Sequence, residues 1–200
     1  MRSLVFFLLV VLGCNVGIGQ DCGFSVIKQA EKDVNYTEGG AGKNNNKGQL
    51  FDYYRGNVDF KLNNWNAPYC GCALYTWFVE AGYSPNVRNP SLAISWHGKN
   101  AIRLGRATSM SVIEKLSPGM AINMKFRLRN GKVNNHVGVL EKPYPTYALN
   151  IEANTSDPND PKKYGKREGV FRKIRPWYRL HSATNWCETA KVAPKKIRTF

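Results

Sequence analysis

Acidic side chains are scarce in this chain: 14 Asp and Glu stand against 29 Lys and Arg, a formal net charge of +15 over 200 residues. Such an excess disfavours basic partners and favours polyanions. The cations are scattered, with modest clusters at Lys162-Lys163, Lys166-Arg167, Arg172 to Arg175 and Lys195 to Arg198, a pattern that a solvated surface also shows. No nucleic-acid-binding motif accompanies them, so nucleic acid is not the expected partner. Cysteine is sparse too. Cys14, Cys22, Cys70, Cys72 and Cys187 form no C-x-x-C pair, and no second pair completes a zinc site. Thioredoxin-like and metal-dependent readings lose ground accordingly, and no metal site is expected. Internal repeats and low-complexity stretches are missing, which argues against a solenoid and for one compact unit.

Long apolar runs are confined to the start. Arg2, the apolar stretch Leu4 to Leu12 and the small residues Gly13, Gly17 and Gly19 have the layout of a signal peptide over residues 1–20. Nothing later approaches the roughly 20 apolar residues of a membrane helix, so no transmembrane segment is expected. Two processing routes stay open. Val11-Leu12-Gly13-Cys14 resembles a lipobox, which would place a lipid anchor on Cys14, whereas Gly17-Ile18-Gly19 suits ordinary cleavage. Either way the expectation is a secreted, periplasmic or cell-envelope protein, with residues 21–200 as a single domain.

What is present centres on Cys70. Residues 67–82, from Ala67-Pro68-Tyr69-Cys70 to Gly82, read as one amphipathic helix, with Leu74, Trp77, Phe78 and Ala81 as its buried stripe. Cys70 then stands at the helix N-terminus, where the partial positive charge and free N–H groups stabilise a thiolate. Cys72 lies roughly 200° further round and is expected to fill core. For an exported protein the bland reading of any cysteine is a disulfide, which here suits Cys22 and Cys187, one near each end of the mature chain.

A nucleophilic cysteine needs a base, and the chain has three histidines. His97 sits in a loop-like stretch and His181 follows a basic segment. His136 opens the alternating run Asn135-His136-Val137-Gly138-Val139-Leu140, which predicts a strand with His136, Gly138 and Leu140 on one face. A second alternating run, Tyr147 to Asn154, places Leu149, Ile151 and Ala153 on a buried face and Glu152 and Asn154 on the other. If the two strands pair, Glu152 or Asn154 can accept the imidazole N–H and fix its tautomer. Taken singly, each of these residues is an ordinary strand or surface residue.

Together, Ala-Pro-Tyr-Cys at 67–70, Asn-His-Val-Gly-Val at 135–139 and Ile-Glu-Ala-Asn-Thr-Ser at 151–156 resemble the CHAP family of cysteine, histidine-dependent amidohydrolases and peptidases. The lead-in from Ala30 to Arg55, with Glu38, Gly39 and Asn44 to Asn46, and the late run Gly169 to Lys173 fit the same pattern. The resemblance implies a papain-like α+β fold, a nucleophile helix packed on a central antiparallel β-sheet. It assigns Cys70 as nucleophile, His136 as base, Glu152 as third member and Asn154 as a further site residue, with no cofactor. The implied substrates are amide bonds of bacterial peptidoglycan. Departures are Met120-Ala121 after Ser117-Pro118-Gly119, where relatives carry an acidic residue, and Gly71-Cys72 where two alanines are usual. Tyr69 and Trp65 are expected to line the cleft. Partners would be peptidoglycan or another anionic envelope polymer, and an inhibitor or immunity protein. Rival readings are a protein-directed protease or acyltransferase with the same machinery, and a non-catalytic basic envelope-binding module.

Overall fold

The computed structural model describes residues 18–38, 46–58, 68–127, 130–159 and 168–198. Three helices come first among the described residues: α1 (Ile18–Glu31), α2 (Gln49–Val58) and α3 (Cys70–Glu80). Then come β1 (Tyr83–Ser84), a 3₁₀ turn (Ala93–Trp96), β2 (Ile102–Arg103) and the short α4 (Met110–Ile113). The long strands follow: β3 (Ala121–Arg127), β4 (Val133–Pro143), β5 (Tyr147–Ser156) and β6 (Glu168–Pro176). A turn at Trp177–Arg179 leads to β7 (Leu180–Thr184), a turn at Trp186–Glu188 and β8 (Lys191–Val192). The order is mixed α+β. β2 to β7 make one antiparallel sheet in the order β2-β7-β3-β4-β5-β6, and β1 pairs with β8.

Strand alternation splits the core in two. Ala121, Val137, Val139, Ile151, Ala153 and Val170 pack with the helices, while Ile122, Met124, Leu140, Ala148, Leu180 and Ala183 form a second cluster closed by Trp177 and Ile113. Residues of both parities on β4 and β5 are therefore buried, and the expectation of a single buried face on residues 147–154 is corrected: Asn150 and Glu152 are as buried as Ile151. α3 is likewise buried on nearly every side, from Cys70 through Glu80, and not amphipathic as its pattern suggested. It touches α1, α2, β4 and β5 at once, and a helix so enclosed is apolar all round.

Two ties hold the ends. Cys22 on α1 is disulfide-bonded to Cys187 across 165 residues, a closure that contributes on the order of 5 kcal/mol in the chain-entropy account. Arg198 reaches back to Asp33 and Glu80 with four hydrogen bonds, and the buried Asp33 also accepts from Tyr54 Oη and Trp77 Nε1. Among the described residues no helix is long and apolar enough to cross a membrane.

Candidate active site

The site forms where two strands part. β4 and β5 pair from Pro143↔Ala148 to Gly138↔Glu152; beyond that β4 runs on against β3 to Val133, and β5 against β6 to Ser156. The N-terminus of α3 meets β4 at this opening, with Cys70 as its first residue. A cleft of about 580 Å³ lies above the thiol, with an aliphatic wall of Leu92, Ala93, Ile94 and Val133 and a polar wall of Asn46, Asn154 and Glu168.

Glycine at two positions allows the approach. A Cβ on Gly71 would stand 2.3 Å from the Pro90 carbonyl oxygen, so only glycine lets residues 90–94 close over the helix start and form the aliphatic wall. That explains Gly71 where the family pattern led us to expect alanine. A Cβ on Gly138 would lie 2.7 Å from Glu152 Cγ and 2.8 Å from the Ile151 carbonyl oxygen. Its absence lets Glu152 lie across β4 toward His136.

His136 lies between the Cys70 thiol and the Glu152 carboxylate. Its Nε2 is 3.2 Å from Glu152 Oε2, and the ring lies close enough to the Cys70 thiol for each to shift the ionisation of the other. Burial by itself raises the pKa of the Cys70 thiol. The His136 charge, the bond to His136 and the backbone N–H groups of Val137 and Gly71 outweigh it, and the net shift is downward. His136 moves the other way: burial lowers it, but the Cys70 charge and Glu152 raise it above the usual histidine range. The two together favour a thiolate–imidazolium pair. Cys72, two residues on and buried, is pushed up to about 12 by burial and by the neighbouring Cys70 charge; it remains an inert thiol.

Glu152 is fully buried. Burial raises its pKa, and the hydrogen bonds from Arg175 and His136 override this and hold it well below the usual carboxylate range. Arg175 grips it in a fork, Nε to Oε1 at 2.8 Å and Nη2 to Oε2 at 2.6 Å. Sequence reasoning missed this residue's role, placing it in the basic cluster Arg172 to Arg175, of a kind that a solvated surface also shows. Arg172 fits that reading, pairing with Glu31 and Glu141 at the surface; Arg175 does not.

Asn154 departs from the expected alternation. The register shifts between Ala153 and Thr155, and Asn154 takes φ = +56°. Its Oδ1 accepts the backbone N–H of Tyr69 at 3.3 Å, while Nδ2 donates to Asn46 Oδ1 and Glu168 Oε2. Asn154 therefore fixes the residue preceding Cys70 and contributes to the polar wall, its amide hydrogen bonds going to Tyr69, Asn46 and Glu168. No side chain caps α3, so its first N–H groups stay available to the sulfur and to an anion above it.

The expectation for Tyr69 is corrected. Its ring is fully buried, stacked on Phe51 at 4.3 Å, and its hydroxyl donates to Glu38 Oε1; it is core beneath the cleft. Trp65, Cys14 and the rest of the leader up to Gly17 fall outside the described residues, while residues 18–20 of the expected leader form the first turn of α1. His97 and His181 do not enter the site; their rings stack at 5.4 Å, and His97 Nδ1 lies 2.7 Å from Ser182 Oγ on β7. No group of three or more His, Cys, Asp or Glu among the described residues is placed to hold a metal ion. Comparison of the chain with protein-family models, with curated proteins and with solved structures finds no match.

Proposed function

We propose that this chain is a secreted CHAP-like cysteine hydrolase that cleaves amide bonds of peptidoglycan through Cys70, His136 and Glu152. The observation that carries the reading is that Cys70 and His136 line one open cleft, with His136 held from behind by a buried carboxylate. The chain order of Cys, His and Glu, and a helix laid on an antiparallel sheet, support the papain-like assignment. The leader-like start and the Cys22–Cys187 bond suit an oxidising compartment, and the +15 charge suits an anionic polymer.

In the proposed reaction the Cys70 thiolate attacks the amide carbonyl carbon, forming a C–S bond and an oxyanion that meets the N–H groups at the start of α3. The His136 imidazolium gives its proton to the departing nitrogen, the C–N bond breaks, and a thioester remains. His136, now neutral, takes a proton from water as its oxygen attacks the thioester; the C–S bond breaks, a carboxylic acid leaves, and the Cys70 thiolate is restored beside the His136 imidazolium. Glu152 keeps the imidazole oriented through both steps.

Mass spectrometry of fragments released from purified peptidoglycan, beside a Cys70→Ser control, tests this reading. New amine and carboxyl termini that depend on Cys70 are expected and would identify the bond. A folded protein that releases nothing from several wall types would turn the assignment toward a protein-directed protease or a binding module.

A further inference from the structure

We infer that Arg175 is a positioning residue of this site: its guanidinium fork fixes Glu152 and cancels its charge, so that the proton on His136 can be passed on. The inference rests on the reading of Cys70 and His136 as a catalytic pair, not on the identity of the polymer.

Two independent contacts carry it. The first is the fork: both Glu152 oxygens are engaged, at 2.8 and 2.6 Å, while the bond from Glu152 Oε2 to His136 is longer at 3.2 Å. Arginine, not histidine, is thus the tighter partner of the carboxylate, and the fork geometry allows one orientation of the carboxyl plane. The second is Phe126 on the neighbouring β3. The Arg175 guanidinium lies over its ring at 5.8 Å, and the same ring sits 6.4 Å from the His136 ring. One aromatic side chain therefore backs both the cation and the imidazole. Register puts the partners there: Gly138 pairs with Glu152 and Ala148 with Arg175, which places His136, Glu152 and Arg175 on one face across three strands.

The charges facing His136 and Glu152 are few. Cys70 comes from α3, and β6 contributes Arg175, Glu168 and Lys173. An unpaired Glu152 carboxylate would hold the His136 proton by a full negative charge in a buried setting and make the imidazolium a poor acid toward the leaving nitrogen. Paired with Arg175 the carboxylate is neutralised. It orients the ring, and the mobile charges of the site are the thiolate and the imidazolium.

Removing the cation must raise both pKa values of the pair, since a lost positive charge disfavours the thiolate and favours the imidazolium. The test is the rate of Cys70 alkylation by iodoacetamide as a function of pH in wild type, R175Q and R175K, read by mapping the modified peptide, with hydrolysis measured beside it. In R175Q the thiolate–imidazolium window moves to higher pH by about one unit, further on its alkaline side, where His136 is nearer the lost charge. R175K keeps the charge and loses the fork; its window stays with wild type while kcat falls by about tenfold and KM is held. Should R175Q not fold, R175K carries the test alone, and an unmoved kcat there overturns the inference. A lowered melting temperature with an unmoved window in R175Q would make Arg175 structural only. A moved window without release of wall fragments by any variant would leave the Arg175 role standing and remove the peptidoglycan assignment.

Discussion

His136 and His181 lie on strands of the same sheet, β4 and β7, and their surroundings set them in opposite directions. His136 is enclosed by the Cys70 sulfur and the Glu152 carboxylate, and it is held above the usual histidine range against the effect of its burial. His181 is partly buried, and burial, followed by the charges of Lys125 and Arg103, pushes it down. One imidazole is stabilised as a cation and the other is discouraged from becoming one. A residue type identifies a candidate base, but its neighbours decide whether it can act as one. Cys70 and Cys72 repeat the lesson within one helix: the first meets an imidazole and two backbone N–H groups, and the second is set mainly by burial and by the Cys70 charge.

The contrast breaks most completely at Cys70. Cys70→Ser is expected to lower hydrolysis by at least about 10⁴-fold, while Cys72→Ala retains it, both read by fragment release. His136→Ala should cost about 10²–10⁴-fold, whereas His181→Ala leaves the rate where it was; equal losses at the two histidines would refute the distinction. Glu152→Gln is expected to lower kcat by up to about 10⁴-fold. It should also change the acid dependence of stability. Glu152 ionises well below the ordinary range when folded, so its stabilisation is complete above the unfolded carboxylate value of about 4.3 and is lost as pH falls below that toward the folded value. Melting curves between neutral and acid pH should be flatter for E152Q than for wild type. Gly138→Ala forces a Cβ against Glu152 Cγ and the Ile151 carbonyl. It should cost about 1–3 kcal/mol of stability and about 100-fold in rate through displacement of the carboxylate, seen in a denaturant titration and a kinetic assay of the same sample.

The elements that sequence pattern reveals and those it hides differ for physical reasons. Cys70 at a helix start, His136 on an alternating strand and Glu152 sixteen residues later are legible because local periodicity puts each on its element. The mixed α+β class follows from the same runs. Arg175 is not legible, because which residue of Phe171 to Arg175 faces Glu152 depends on the pairing register of β5 with β6, and register is a property of two strands at once. The aliphatic wall at Leu92 and Ile94 is hidden for a similar reason: it depends on the close approach of Pro90 to Gly71. Tyr69 looked like a cleft residue because it adjoins the nucleophile. Its backbone does border the site, where its N–H donates to Asn154 Oδ1, but its ring turns inward to Phe51 and Glu38.

The central claim is that this fold activates one of the two free cysteines among its described residues. Brief treatment with iodoacetamide at about pH 6, well below the ordinary thiol range, followed by mass mapping of Cys70 and Cys72, measures it directly. Modification confined to Cys70, and lost in His136→Ala, is the predicted result. No reaction at Cys70, or equal slow reaction at both cysteines, would contradict the account.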